Sequence, residues 1–360
     1  MMSSVRPHRT LPPCLRSPSS SSLGVLSRFN PWETCPGSSV MCSLNVYLGC
    51  SYDCHYCYAR SYMRRFIPEF EKARPKKDFL RRLRTSIRRF SKSLRIPVSI
   101  SNSTDPYQPI EAIYGHTRYS LIELGSRGFP ILLITKSTMF IRDLDLLRKL
   151  NLVLSVTVTG IDHRRVSLLE PAAPPPETRL KALKMASREG VKVVVRIDPL
   201  IPGWNAEERE LDLLFGKLSG IKALQVVSST VKLRRDFTSR LRGLIRAESG
   251  WRAEVLREIL NQLGRFKIRH RGYLVASLKE RMEILRVVKD LSEKHGLTYS
   301  FCMEPLDYPA PTCNGLHLLD GWDEIVEELK RSYEAMLFSS RRDYFERMLE
   351  NLNAFSRKGP

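Results

Sequence analysis

Residues 44–60 read LNVYLGCSYDCHYCYAR, a short apolar run followed directly by three closely spaced cysteines. Cys50, Cys54 and Cys57 form a C-x3-C-x2-C motif, so one loop after a predicted strand can wrap three corners of a cubane iron–sulfur cluster. This spacing leaves the fourth iron without a protein ligand, and an open iron can bind the amino and carboxylate groups of S-adenosylmethionine (SAM). We therefore predict a 4Fe-4S cluster and bound SAM at these three residues, the cysteine triad.

A structural zinc site is the alternative for the triad. Structural zinc takes four ligands, usually with paired C-x2-C spacing, so it would need a remote fourth ligand such as Cys42. The triad by itself favours the cluster, because three thiolates and one open corner are what SAM binding requires.

Beyond the triad, short apolar runs alternate with amphipathic stretches, a pattern typical of repeated βα units around a parallel sheet. The six predicted strands lie at residues 44–48, 98–101, 131–134, 152–158, 191–197 and 223–227. Helical spacing falls between them, at residues 78–91, 117–125, 142–150, 175–188 and 206–217. We predict an α/β fold, a partial (β/α)6 TIM-like barrel, in which functional residues follow the carboxyl ends of the strands.

Composition divides the chain into three regions. Residues 1–34 are rich in Ser, Pro and Arg and predict a disordered tail, residues 35–230 carry the barrel, and residues 231–360 predict a basic, mostly helical C-terminal extension. No apolar run approaches the roughly 18 residues of a membrane span. A chain of this size does not need disulfides. We therefore expect a cytoplasmic protein with reduced thiols and no membrane partner.

Several segments resemble the spore photoproduct lyase-like branch of radical SAM proteins, often labelled DNA repair photolyases. They include the triad loop, SNSTDPYQPIE, LLITKSTMFIRDLDLL, LEPAAPPPETRLKAL and VVRIDPLIPGWN, and the resemblance spans about residues 35–227. It implies the partial barrel, lyase or nucleotide-modifying chemistry in DNA repair, and an aromatic residue that leans against adenine. By position it also implies a set of SAM contacts: Tyr56, Asn102, Ser103, Thr104, Asp105, Thr157, Arg196 and Asp198.

Some of these residues also have plainer interpretations. The Ser-Thr-Asp-Pro sequence is a good turn by itself, and Arg196 and Asp198 are close enough in sequence to pair with each other. The sequence departs from the family at Asn102, where spore photoproduct lyase has a hydrogen-donating cysteine. Asparagine has no weak S–H bond to offer a carbon radical. Cleavage of spore photoproduct itself is therefore not what we predict.

Four further cysteines flank the predicted barrel, and we hypothesise that they hold a second iron–sulfur cluster or a zinc ion: Cys35, Cys42, Cys302 and Cys313. The alternatives are buried thiols without a metal, which is common for cysteine, or a hydrogen-donating role for Cys302 or Cys313. Cys14 lies in the predicted tail, where we expect no role for it.

The charge balance is strongly positive, with 59 Lys and Arg against 38 Asp and Glu. Residues 60–95 hold fourteen of the basic residues and three acidic ones, with aromatic residues between them. Such a stretch can follow a phosphate backbone while its rings stack on bases. The alternative is a solvated helix that packs its apolar side chains into the core at helical spacing: Phe79, Leu83, Ile87 and Phe90.

Together these features predict an enzyme that cleaves SAM reductively to a 5′-deoxyadenosyl radical, with nucleic acid as the favoured substrate class. Its further partner would be a reductant such as a ferredoxin or flavodoxin. Two alternatives stay open. One is the same chemistry on a protein or small molecule, and the other is a non-catalytic, metal-containing nucleic-acid-binding protein.

Overall fold

A computed structural model describes residues 10–16, 25–28, 35–90, 93–270 and 272–356. Its strands are β1 (Leu26–Arg28), β2 (Cys42–Leu44), β3 (Tyr47–Leu48), β4 (Arg74–Pro75), β5 (Val98–Ile100), β6 (Ile131–Thr135), β7 (Leu152–Thr157), β8 (Lys192–Leu200), β9 (Gln225–Thr230), β10 (Ile268–His270), β11 (Tyr273–Val275) and β12 (Tyr299–Phe301). One sheet has the order β1-β2-β5-β6-β7-β8-β9-β12, while β3 pairs with β4 and β10 with β11.

From β2 to β12 every neighbouring pair in the large sheet is parallel, and the edge strand β1 is antiparallel to β2. Strand β7 is buried along its whole length, which explains its nearly continuous apolar sequence. All the parallel strands therefore present their carboxyl ends at the same end of the barrel, its carboxyl-end mouth. The predicted α/β fold with a partial barrel is confirmed.

Two details of the predicted sheet are wrong. The first parallel strand is Cys42–Leu44 rather than residues 44–48, because Tyr47–Leu48 pairs with β4 instead. A seventh parallel strand, Tyr299–Phe301, lies in the predicted extension and pairs with β9. The boundary at residue 230 therefore does not end the barrel. A strand of three residues is too short to show a period in the sequence.

Helices cover both the barrel and the later part of the chain: α1 (Tyr58–Met63), α2 (Phe79–Arg88), α3 (Glu111–Tyr114), α4 (His116–Gly125), α5 (Leu144–Leu147), α6 (His163–Val166), α7 (Pro176–Arg188), α8 (Glu208–Ile221), α9 (Arg235–Ala247), α10 (Gly250–Gly264), α11 (Leu278–Lys294), α12 (Trp322–Ala335) and α13 (Arg342–Ser356). Helices α9 and α10 contribute Phe237, Leu241, Leu256 and Ile259 to a second apolar core. In the part of the chain that the structure describes, no helix is long and apolar enough to cross a membrane.

Part of the predicted disordered tail packs against the barrel. Strand β1 pairs with β2, and Leu15 is fully buried, with its carbonyl accepting a hydrogen bond from Tyr344 at 2.8 Å. The Cys14 sulfur is bonded to that of Cys42. The prediction of disorder is wrong for these segments, because a few apolar residues within the Ser/Pro-rich sequence are buried against the barrel. The prediction of reduced thiols is wrong for Cys14 and Cys42, which are bonded to each other. Residues 1–9, 17–24 and 29–34 of the predicted tail lie outside the described residues.

Candidate active site

The loop that carries the cysteine triad begins with a required glycine. Gly49 has a φ of +72°, and a β-carbon there would lie 2.6 Å from the carbonyl oxygen of Phe70. The Cys50 amide donates to that same carbonyl at 2.7 Å. Only glycine combines the left-handed backbone with so close a neighbouring chain. The loop ends at Cys57, immediately before α1.

The three thiols of the triad lie within electrostatic range of one another. Burial, followed by the Asp105 carboxylate, raises the pKa of Cys50 to about 12. Burial also raises the pKa of Cys54 and Cys57, and the other two thiols add to the effect on Cys54. Thiols in this setting need a nearby positive charge to ionise, and an iron–sulfur cluster supplies it.

Two side chains from distant parts of the chain hold the triad loop in place. Gln108 is fully buried; it accepts a hydrogen bond from the Ser51 amide at 2.8 Å and donates to the loop backbone at 3.1 Å. Arg240, on α9, donates to both carboxylate oxygens of Asp53, at 3.1 and 3.2 Å, and lies 2.6 Å from His55 Nδ1. The C-terminal region therefore clamps the loop that the sequence places in the barrel.

Tyr56, the aromatic residue of the triad, is anchored by a buried ion pair. Its hydroxyl donates to Glu170, whose carboxylate lies 2.6 Å from the guanidinium of Arg179 with both side chains fully buried. Burial opposes ionisation of Glu170, but Arg179 and a neighbouring lysine outweigh it and lower its pKa. The Tyr56 ring also lies 5.6 Å from that of Trp204. The ring is thereby fixed beside the triad.

Lys136 is a site residue that the sequence analysis did not single out. It follows β6, and its Nζ lies 5.6 Å from the centre of the Tyr56 ring. Burial lowers its pKa, but Cys54 and Glu170 have the larger combined effect and raise it, so the amine carries a charge. A charged ammonium beside the triad suits the carboxylate of SAM. In the sequence its only signal is a lysine directly after an apolar strand.

Three of the predicted SAM contacts after β5 already have partners within the protein. The Asn102 amide is hydrogen bonded to two serine hydroxyls, at 2.6 and 2.7 Å. Asp105 accepts a threonine hydroxyl and two backbone amides, at 2.7 to 2.9 Å. Ser103 shares a 2.7 Å hydrogen bond with the Tyr62 hydroxyl. These side chains shape the strand end.

Two hydroxyls at this strand end are different. The Oγ of Ser101 and the Oγ1 of Thr104 are buried without a hydrogen-bond partner among the described residues. Ser101 also has a φ of +62°, a left-handed conformation that is costly for serine. A buried polar group without a partner costs about 1–3 kcal/mol, and polar groups of a bound ligand relieve that cost. Thr104 is thus the predicted contact that the structure leaves available.

The remaining predicted contacts lie on β7 and β8. Thr157 is buried, and its carbonyl accepts a hydrogen bond from Arg179 at 3.1 Å. Arg196 and Asp198 form an ion pair of 2.6 Å, as their alternative interpretation expected. The pair lies within electrostatic range of Tyr58, the residue after Cys57. It therefore shares the carboxyl-end mouth of the barrel with the triad loop.

A protein-family model relates part of this fold and its site to known proteins. The model of the radical SAM superfamily matches residues 44–216, which include the triad, Lys136 and the Arg196–Asp198 pair. The matched segment is just under half of the 360-residue chain, and over that segment the chain is similar to the radical SAM superfamily. A spore photoproduct lyase variant with bound AdoMet and dinucleoside spore photoproduct has a similar fold, with a TM-score of 0.52 and 15% identity over 72% of this chain and 75% of that one.

Curated proteins similar to this chain occur in a virus and in an archaeon. It is 29% identical over 202 residues to an uncharacterized protein of Acidianus two-tailed virus, covering 51% of this chain and 65% of that protein. It is 30% identical over 168 residues to an uncharacterized protein of Methanocaldococcus jannaschii, covering 46% and 62%. The chain thus spans less than two thirds of the length of these curated relatives.

Similarity to the radical SAM superfamily implies a 4Fe-4S cluster and SAM as the groups that this site would hold. The side chains fit both groups. Three converging thiols suit the cluster, while the unpartnered Ser101 and Thr104 hydroxyls and the Lys136 ammonium suit the polar groups of SAM. Within the described residues, no three His, Cys, Asp or Glu side chains are arranged around a single metal ion, and this includes the triad.

The four cysteines predicted as a second metal site do not come together as a set. Cys42 is bonded to Cys14 and begins β2, whereas Cys302 directly follows β12. Because the strands are parallel, Cys42 lies at their amino ends and Cys302 lies at their carboxyl ends. The assignment of Cys42 as a metal ligand is therefore wrong, since its sulfur is already bonded and lies at the other end of the strands.

Proposed function

We propose that this protein is an enzyme that uses the triad cluster to cleave SAM reductively and acts on a nucleic acid. When bound, the cluster delivers the electron that splits SAM into methionine and a 5′-deoxyadenosyl radical. The convergence of the three thiols at the carboxyl-end mouth of the barrel carries this proposal. A ferredoxin or flavodoxin is the class of reductant that we propose for it.

The surrounding side chains have distinct roles in binding SAM. The Lys136 ammonium pairs with its carboxylate, and the Ser101 and Thr104 hydroxyls take its amino or ribose groups, which gives each buried hydroxyl a partner. The Tyr56 ring, fixed by Glu170, packs against adenine. Their shared position at one mouth supports this arrangement, because barrels of this type carry their functional residues at the carboxyl ends of the strands.

Anaerobic reconstitution with iron and sulfide, followed by dithionite reduction in the presence of SAM, tests the chemistry. Wild-type protein is expected to release 5′-deoxyadenosine, and Cys54→Ala to release none above background. Cys14→Ala is the matched control, since it removes a cysteine that is bonded to Cys42 at the amino ends of the parallel strands. Bound zinc with no 4Fe-4S spectrum and no SAM binding would instead favour the non-catalytic binding protein.

The basic surface supports nucleic acid as the substrate class. Within the basic stretch the four apolar residues at helical spacing are buried, as the helical interpretation expected, while Arg82 and Arg89 on the same stretch are exposed. The helix therefore packs through one face and presents arginines on the other. The similarity in fold to a lyase solved with a dinucleoside photoproduct adds support for this substrate class.

Salt dependence of binding tests this second part. Each phosphate contact contributes a slope of about −0.9 to a plot of log K against log salt for duplex DNA. The double variant Arg82→Gln/Arg89→Gln is expected to flatten that slope by nearly 2, whereas Lys181→Gln/Lys184→Gln, on the exposed face of α7, leaves it unchanged. Absence of binding at low salt, or binding that ignores salt, would remove nucleic acid from the proposal.

A further inference from the structure

A pair of cysteines outside the triad lies at the carboxyl end of the sheet. Cys302 directly follows β12, and its amide donates to the Ser228 carbonyl on β9 at 2.9 Å. The Cys313 thiol donates a hydrogen bond to the Cys302 sulfur, and neither sulfur belongs to a disulfide. Both side chains are half-buried and pack against the apolar core of the sheet. Two thiols are thus in direct contact at the end of a barrel strand.

Hydrogen bonds that do not involve the thiols hold the two cysteines opposite each other. The Ser300 hydroxyl, on β12 two residues before Cys302, donates to the Cys313 carbonyl at 3.0 Å. Gln225 is fully buried, and its amide donates to the Ser300 hydroxyl at 2.6 Å and to the Thr312 carbonyl at 2.9 Å. The segment that carries Cys313 is therefore tied to the strand that carries Cys302.

The surroundings of the pair favour a thiolate at Cys302. Ser229, on β9, donates to Asp198 at 2.6 Å, and Asp198 pairs with Arg196, so this ion pair lies on the strand next to β9. The hydrogen bond from Cys313 and the charge of Arg196 outweigh burial and lower the pKa of Cys302 below that of an ordinary thiol. The same hydrogen bond, together with burial, raises the pKa of Cys313. At neutral pH the pair is therefore one thiolate and one thiol.

The contact between the two sulfurs suits thiol chemistry better than metal binding. Thiols in hydrogen-bond contact are too close to occupy two corners of a cubane, and within the described part of the chain no three His, Cys, Asp or Glu side chains surround a single metal ion. A thiolate beside a thiol is instead the arrangement of dithiols that exchange with disulfides. A disulfide bond joins sulfurs about 2 Å apart, so sulfurs that already touch need little movement to form one.

We propose that Cys302 and Cys313 form a redox-active dithiol that undergoes thiol–disulfide exchange with a small disulfide, RSSR. The Cys302 thiolate attacks one sulfur of RSSR, which forms a mixed disulfide and releases one thiolate. The Cys313 thiol then loses its proton to solvent and attacks the Cys302 sulfur, which closes the Cys302–Cys313 disulfide and releases the second thiolate. The protein thereby gives two electrons to RSSR. This exchange does not depend on SAM cleavage, so each proposal can fail without the other.

Anaerobic equilibration of the reconstituted protein with glutathione buffers of increasing oxidised fraction tests this proposal. After acid quenching and alkylation, the tryptic peptide 295–330, which holds Cys302, Cys313 and no other cysteine, is analysed by mass spectrometry. The peptide is expected to change from two alkylated thiols to one internal disulfide in a single two-electron transition. Cys35→Ala is the matched control, because it removes a half-buried cysteine that takes no part in the exchange, and it should leave the transition unchanged.

Single variants separate the roles of the two cysteines. Cys313→Ala keeps the attacking sulfur but cannot close the disulfide, so a glutathione adduct is expected to accumulate on Cys302. Cys302→Ala is expected to leave Cys313 unmodified, because burial keeps the remaining thiol protonated. Alkylation of Cys302 in the wild type should reach half its maximal rate below the roughly pH 8.5 of an ordinary cysteine, and Cys313→Ala should move that midpoint upward.

Circular dichroism and gel filtration check that each variant folds before its thiols are analysed. Two reduced thiols throughout the buffer series would overturn the proposal, and so would a stable glutathione adduct in the wild type. Equal adducts on the two single variants, or a wild-type alkylation midpoint at or above roughly pH 8.5, would overturn it as well. If the disulfide transition is found while 5′-deoxyadenosine is absent, only the proposed function fails.

Discussion

The buried ion pair behind Tyr56 gives a sharp test of how this site is held together. In Glu170→Gln the carboxylate loses its charge, while Arg179 stays fully buried at 0% exposure and 2.6 Å away. Removing one member of a buried pair costs about 3–5 kcal/mol, because the other charge is left uncompensated. Glutamine keeps part of the hydrogen bonding to Arg179 and to the Tyr56 hydroxyl. We therefore expect Glu170→Gln to lower the free energy of unfolding by about 3 kcal/mol.

The measurement is the urea midpoint of the anaerobically purified protein, compared with Glu177→Gln. Glu177 forms the same kind of pair with Lys181 at 2.8 Å, but both side chains are more than 70% exposed, and exposed pairs contribute little. The double variant Glu170→Gln/Arg179→Met should recover much of the loss, since no buried charge is left unpaired. SAM should also bind more weakly to Glu170→Gln, because Tyr56 has lost its anchor.

Equal midpoints for Glu170→Gln and Glu177→Gln would refute this reasoning. A double variant that is as unstable as the sum of its two single variants would also refute it, because the coupling between the two buried charges would then be absent. Weaker SAM binding with an unchanged midpoint would place the role of Glu170 in the ligand complex alone.

Two further outcomes follow from the structure. Gly49→Ala should lose most of its triad iron, because the new β-carbon would lie 2.6 Å from a backbone oxygen at a residue whose φ is +72°. The check is an iron count compared with that of Gly264→Ala, where a new β-carbon meets nothing within 4 Å. Retention of iron in Gly49→Ala would contradict the prediction. Burial lowers the pKa of Lys76 to about 8, below the roughly 10.4 of an exposed lysine. At pH values below about 8 the charged amine therefore destabilises the folded state, and this effect disappears as the pH rises past about 10.4. Lys76→Met should thus raise the unfolding temperature at pH 7 and lose that gain near pH 10 to 11; a gain that is the same at both pH values would argue against the titration of Lys76.

The sequence alone determined the features that depend on local patterns. The triad, its preceding glycine and the strand before it lie within a few residues of one another, so their spacing already predicts a cluster loop. Five of the seven parallel strands were long and apolar enough to be predicted near their observed positions. Residues that pack on one face of α2 also follow from their helical spacing.

The tertiary structure alone decided which distant residues meet. Lys136 follows β6, while Glu170 and Arg179 lie in the connection between β7 and β8. Only the shared carboxyl end of the parallel strands brings these two βα units to Tyr56. The three-residue strand β12 is too short to show a hydrophobic period in the sequence. It nevertheless completes the parallel sheet and places Cys302 directly after the carboxyl end of a strand. Cys42 lies at the amino ends of the parallel strands, whereas Cys302 lies at their carboxyl ends. Strand direction sets this difference, and sequence spacing does not reveal it.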